Sequence, residues 1–239
     1  MAASYTFLGV RVDNVTMDET VYGITEAIQD KNPYSVVTVN PELVMVAQSN
    51  SKFKEFIKDA DRVTPDGVGL RIVGRLTGRS LKERVTGVDL CDRLAKEASK
   101  KGWSIYLLGA KPGVAAQAAE NLQQKYQGLK IANTNSADPE DIYADEIISD
   151  IRSCKPDILL AAYGSPTQEL WIDKYRKQFD PLVTIGVGGS FDFIAGNAKR
   201  APKFVQKVGL EWLWRLATQP SRWRRMLVLP KFAILSLFK

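Results

Sequence analysis

Short β-branched runs alternate with longer stretches of helical spacing along most of the chain. Residues 5–12 alternate loosely and predict a short hairpin or edge strand. Thr16-Met-Asp-Glu19 carries a capping-box pattern, so a helix is expected from there to about Gln29. Residues 34–39 form a β-branched strand that ends in Asn40-Pro41, where proline suits the first turn of a following helix. A short strand over 61–64 leads into Pro65-Asp66-Gly67, and the next helix is expected to break at Gly74 and Gly78.

From Gly87 the alternation is plain. Helices are predicted over 87–101, 114–126, 139–153 and from just after Pro166 to 177, and strands over 103–108, 130–133, 157–163 and 182–187. Gly164-Ser165-Pro166 is expected to cap the helix that follows it. Strands that alternate with helices imply an α/β fold with a mostly parallel sheet covered on both faces.

The last forty-one residues break this pattern. Residues 199–239 hold ten Lys/Arg and a single acid, Glu211, for a charge of +9. The first 198 residues hold 23 Lys/Arg and 26 Asp/Glu, so the overall +6 arises in the tail. Trp212, Trp214 and Trp223 also fall there. Leu210, Leu213, Leu216 and Ala217 have helical spacing, and Pro220 and Pro230 are expected to separate further helices. Tryptophan and leucine beside arginine suit an interfacial helix on an anionic membrane; a dimer interface or a layer packed on the sheet would use the same residues. The expected organisation is a domain over 1–198 and a basic helical appendage over 199–239.

Composition then narrows the chemistry. The 239 residues are 45% hydrophobic and 25% charged, enough to bury a core. Two cysteines outside any C-x-x-C pattern suggest neither a disulfide framework nor a metal cage. No histidine is present, so acid–base work falls to carboxylates, Lys, Tyr or Cys. No secretory signal and no run of eighteen apolar residues is visible, so a cytoplasmic location is expected.

In open α/β sheets, ligands bind outside the carboxyl ends of the strands. Turns containing Gly109, Gly164, and Gly188 with Gly189 stand at such ends and can approach phosphates, or can simply be tight βα turns. None is a G-x-G-x-x-G or Walker loop. Asp66 is a general-base candidate at a strand end, though Pro-Asp-Gly is also an ordinary turn. Arg84 can neutralise a phosphate or pair with an acid. Thr38 and Asn40 can bind sugar hydroxyls or cap a helix, and Asp192 can hold a ribose or act as an N-cap. Gln168 or Glu169 can face the crevice.

Seven motifs occur together in order: Thr38-Val-Asn-Pro-Glu42, Thr64-Pro-Asp-Gly67, Glu83-Arg-Val-Thr-Gly87, Leu107-Leu-Gly-Ala110, Gly164-Ser-Pro-Thr-Gln-Glu169, Gly186-Val-Gly-Gly-Ser-Phe-Asp192 and Arg200-Ala-Pro202. The set resembles the WecG/TagA/CpsF family of bacterial glycosyltransferases across nearly the whole chain. Val39 departs from the proline common at that position and leaves the Thr and Asn in place.

The resemblance implies a Rossmann-like domain with a membrane-meeting appendage, peripheral on the inner face of the plasma membrane. It implies an inverting, metal-independent transferase that uses a UDP-sugar donor, N-acetylmannosamine above all, and a polyprenyl-diphosphate-linked sugar acceptor. By position it makes Asp66 the base and Thr38, Asn40, Arg84 and Gln168 pocket residues. Asp192 and its glycine loop match the UDP site, and Arg215, Arg222 and Arg225 are expected to face the diphosphate. The polysaccharide pathway and monomer versus homo-oligomer stay open, as do uronic-acid, mannose and glucose donors. A dinucleotide-dependent oxidoreductase is the alternative enzyme, disfavoured by the missing fingerprint. A nucleic-acid-binding protein is the alternative use of the basic tail, and no nucleic-acid partner is expected.

Overall fold

The structure is a computed structural model that describes residues 3–179, 182–207, 209–218 and 223–238. A hairpin of β1 (Ser4–Phe7) and β2 (Val10–Asp13) leads into α1 (Met17–Gln29), β3 (Tyr34–Val39), α2 (Pro41–Ser49) and α3 (Ser51–Asp59). Then come β4 (Arg62–Pro65), α4 (Val68–Leu76), α5 (Gly87–Lys101), β5 (Ser104–Gly109), α6 (Val114–Lys125) and β6 (Lys130–Asn135). The domain continues through α7 (Ala144–Cys154), β7 (Ile158–Ala162), α8 (Thr167–Tyr175), β8 (Val183–Gly186) and α9 (Ser190–Ile194). The tail forms α10 (Lys203–Lys207), α11 (Glu211–Thr218), α12 (Trp223–Met226) and α13 (Val228–Leu237).

The hairpin is antiparallel, and the six remaining strands form one parallel sheet in the order β4-β3-β8-β7-β5-β6. Helices lie on both faces, as a Rossmann-like α/β fold requires. The pleat divides each central strand between two cores. Val36, Ile105, Leu107, Leu160 and Ile185 face the layer of α1, α5 and α6. Val37, Val39, Tyr106, Leu108 and Leu159 face the opposite layer, which includes α2, α3, α7 and α8.

Local signals place most elements as expected. Thr16 and Glu19 close the capping box of α1, and Asn40 caps α2 by accepting from Leu43 N–H at 3.0 Å. Three expectations change. The helix of α4 runs through Gly74, where the close Arg79 carbonyl leaves no room for a Cβ, and Gly74 serves packing rather than a break. Gly164-Ser165-Pro166 supplies no side-chain cap to α8, because Ser165 donates to Glu169 instead. Pro230 lies inside α13, in its first turn, where a missing N–H breaks no helical bond.

The final helix is docked on the domain. Phe232 of α13 is buried beside Phe7, with ring centroids 6.5 Å apart, and joins the same apolar cluster as the α2 and α4 side chains. Ser236, one turn further on, is also buried.

Candidate active site

Strand order decides where a ligand can enter. After β3 the chain turns toward β4, whereas after β8 it turns toward α9, which packs on α5 and α6. The crevice between such diverging connections is the expected binding place in an open α/β sheet. A cavity of about 670 Å³ lies there, at the carboxyl ends of β4, β3, β8 and β7. Thr38, Asn40, Asp66, Arg84, Gly164, Gln168, Gly188 and Gly189 all line it, although 151 positions separate the first from the last.

The two walls differ in chemistry. The strand ends supply the polar wall. The tail supplies Trp212, Met226, Leu229, Pro230 and Ala233, and α4 adds Ile72. One wall suits sugar and phosphate, and the other suits an apolar stem.

Asp66 is held at the rim by its backbone, whose N–H donates to the Val39 carbonyl at 2.7 Å. Its Oδ1 stands 3.5 Å from Arg84 Nε. Arg84 Nη2 donates to Glu211 Oε2 at 2.5 Å. Burial opposes the Arg84 charge, but Asp66 and Glu211 outweigh it, and the guanidinium is held above its ordinary value. Asn40 uses its Oδ1 as the cap of α2, which leaves its amide nitrogen for the cavity. The capping role is therefore met, and it is compatible with a second role for the amide in the cavity. Thr38 Oγ1 makes a long contact, 3.5 Å, to the Gly186 carbonyl.

Gln168 braces the floor. Its Oε1 accepts from the N–H of Gly164 at 3.1 Å and of Gly188 at 3.0 Å. Its Nε2 donates to Glu169 Oε1 at 2.8 Å and Ser165 Oγ at 3.2 Å. Those four bonds use the whole capacity of the amide. Gln168 thus ties the β7 loop to the β8 loop. A Cβ on Gly186 would stand only 2.5 Å from Gln168 Nε2, so glycine is needed for this approach.

Glu169 lies behind the brace, almost wholly buried, and among the described residues its Oε2 has no hydrogen-bond partner. Burial raises its pKa, against the bonds from Gln168 and Ser165. A native state that holds this proton more tightly than the unfolded chain has stability fully present below the unfolded carboxylate value. That stability is lost as the pH rises through the raised native value. Glu169→Gln should therefore gain on the wild type as the pH rises. Denaturant unfolding of both proteins at about pH 5 and about pH 8 tests this. An advantage that shrinks with pH contradicts it.

Residues 5–239 match the Glycosyl transferase WecG/TagA/CpsF family. The chain belongs to that family. Two relatives are each named N-acetylglucosaminyldiphosphoundecaprenol N-acetyl-beta-D-mannosaminyltransferase. The one from Bacillus spizizenii is 38% identical over 204 residues, covering 85% of this chain and 78% of the relative. The one from Staphylococcus aureus is 34% identical over 233 residues, covering 96% and 91%. This WecG/TagA/CpsF protein is accordingly a glycosyltransferase rather than an oxidoreductase.

Two anticipated site residues of this WecG/TagA/CpsF glycosyltransferase stand apart from the cavity wall. Gly109 ends β5, beyond β7, and its left-handed backbone packs against the Tyr163 ring instead. Asp192 sits in the first turn of α9, with Oδ2 near Gly189, and is not an N-cap, since Gly189 holds that position. Arg222 and the side chains of Arg215 and Arg225 lie outside the described residues.

The structure also adds residues to the site. Glu211, Arg200, Asp89 and Thr86 join a polar chain at the mouth, and Ser165 joins the floor. Glu211 had one signal in the sequence, as the lone acid of a basic tail. Among the described residues, no group of three or more His, Cys, Asp or Glu is placed to hold a metal ion.

Proposed function

We propose that this glycosyltransferase moves N-acetylmannosamine from a UDP donor to the N-acetylglucosamine of a polyprenyl-diphosphate lipid, with inversion. The observation that carries the reading is the pairing of Asp66 and Arg84 on the polar wall with an apolar wall built by the tail. The names of the relatives supply the sugar and the lipid.

In this reading Asp66 accepts the proton of the acceptor hydroxyl. The oxygen forms its bond to the anomeric carbon on the face opposite UDP, and the bond to the UDP oxygen breaks with its electron pair. Inversion follows from one such displacement. The departing diphosphate needs positive charge nearby, which Arg84 and the tail arginines Arg215, Arg222 and Arg225 would supply without a metal. Thr38 and Asn40 would orient sugar hydroxyls, and Gln168 would keep the glycine loops in place.

Residues 1–198 would form the catalytic domain and 199–239 an appendage that covers the cleft and meets the membrane. Leu227, Ile234, Leu237 and Phe238 of the tail are exposed, and so are Ile72 and Leu76 of α4, beside the exposed Arg71 and Arg75. Such a face suits an anionic inner leaflet. No helix among the described residues is long and apolar enough to cross a membrane.

The test is a transfer assay with a panel of UDP- and GDP-sugars and a lipid-linked N-acetylglucosamine diphosphate. UDP-N-acetylmannosamine should be the preferred donor, the product should have the inverted anomeric configuration, and a chelator should change nothing. A retained configuration or an absolute need for divalent metal would overturn the mechanism, and preference for another donor would overturn the sugar assignment.

A further inference from the structure

Five charged side chains cross the mouth of the cavity with alternating sign. Asp66 meets Arg84, Arg84 meets Glu211, Glu211 meets Arg200, and Arg200 meets Asp89. Arg200 holds Asp89 with both terminal nitrogens, at 2.5 and 2.7 Å, and reaches Glu211 Oε1 from Nε at 3.7 Å. Thr86 Oγ1 donates to Asp89 Oδ2 at 2.6 Å and fixes that end of the chain. Asp89 lies in α5, Asp66 follows β4, and Glu211 opens α11, so the series joins the domain to the tail.

One guanidinium is divided between two carboxylates. Arg84 donates to Glu211 at 2.5 Å, whereas its Nε stands 3.5 Å from Asp66 and has no hydrogen bond among the described residues. Glu211 holds the stronger contact. Were it absent, Arg84 could settle fully on Asp66, and an Arg-paired carboxylate is a weaker base.

We infer that Glu211 is a positioning residue for the proposed reaction: with the tail closed, it draws Arg84 off Asp66 and keeps that carboxylate able to accept the acceptor's proton. The inference rests on the reading of Asp66 as the base. It also gives the tail a second task besides covering the cleft, because only a docked α11 brings Glu211 to Arg84. Arg200 works in the opposite sense. It attracts Glu211 from the other side, and its charge acts on both Arg84 and Asp66. Glu42 of α2 lines the same cavity, and Arg215, Arg222 and Arg225 belong to the same tail; all four are left unchanged in the variants below.

Two substitutions therefore make opposite predictions. In Glu211→Gln a negative charge near Asp66 is lost and Arg84 is released to it; both effects favour the ionised base. The acid limb of the kcat/KM profile should move to lower pH by about one unit, with the plateau reduced about tenfold. In Arg200→Gln a positive charge is lost and Glu211 is left wholly to Arg84, so the limb should move to higher pH. A purely structural role would lower activity in both variants without moving either limb.

The measurement is kcat/KM against pH for the full chain and both variants, with Asp66→Asn as reference. Limbs that stay in place, or shift in the same direction, overturn the role of Glu211. Near-wild-type turnover in Asp66→Asn instead overturns the base assignment beneath it. Should Glu211→Gln not fold, Glu211→Asp, which keeps the charge but shortens the reach to Arg84, decides: a limb at lower pH supports the inference, and an unmoved or raised limb sinks it.

Discussion

Asp66→Asn should lower kcat by about a hundredfold to ten-thousandfold and leave UDP-sugar affinity within about twofold. The substitution keeps the size of the side chain and its backbone anchor to Val39, so the rim of the cavity should hold its shape. It removes the one property the mechanism needs, a lone pair that accepts a proton at neutral pH. Among the described cavity-lining residues, Glu42 and Glu211 are the other carboxylates. Glu211 is engaged by Arg84 and Arg200, so it is poorly placed to substitute. Single-turnover transfer and equilibrium UDP-sugar binding on the same preparations would separate the two effects. Loss of binding in parallel with rate would make Asp66 a donor ligand, and undiminished turnover would remove it from the chemistry.

Phe232→Ala should loosen the tail by about 3–5 kcal/mol, the usual range for deleting a buried phenylalanine ring. Phe232 is the principal apolar anchor of α13, since Ile234, Leu237 and Phe238 of the same segment are exposed. The free energy of local opening is therefore drawn largely from one side chain, and the domain beneath should remain folded. Amide exchange over 228–237 should accelerate by at least about a hundredfold while the central strands keep their protection. Turnover should fall with it, because Leu229, Pro230 and Ala233 would leave the cavity wall and Glu211 would lose its seat. Unchanged exchange in α13 would show that the tail is held by something other than this contact.

Those two experiments probe features that were unequally visible in the chain. Asp66 was legible as a cavity residue because a short strand ends in Pro-Asp-Gly, and a parallel sheet carries its ligands at such ends. Strand β3 matched its expected residues, since hydrophobic period and the Asn40-Pro41 boundary are local signals. Gln168 was legible as a pocket residue but not as a brace, for its partner Gly188 lies twenty positions away on another strand. Gly109 looked equivalent to Gly164 because both follow strands. Only the order β7-β5-β6 shows that its strand stands beyond the crevice. Pro230 looked like a helix breaker, and its tolerance depends on where α13 begins.

By itself, the sequence determined the alternation of strands and helices, the glycine-bearing strand ends and the excess of positive charge in the tail. Each depends on neighbours within a few residues, through side-chain period, turn conformation and simple composition. Tertiary structure alone decided which strand ends share a cavity, that the tail forms its apolar wall, and that Glu211 meets Arg84 across 127 positions. Strand order and ion pairing are set by packing between distant segments. Local pattern leaves those choices open, and the lone acid of the tail could be seen in the sequence long before its partner could.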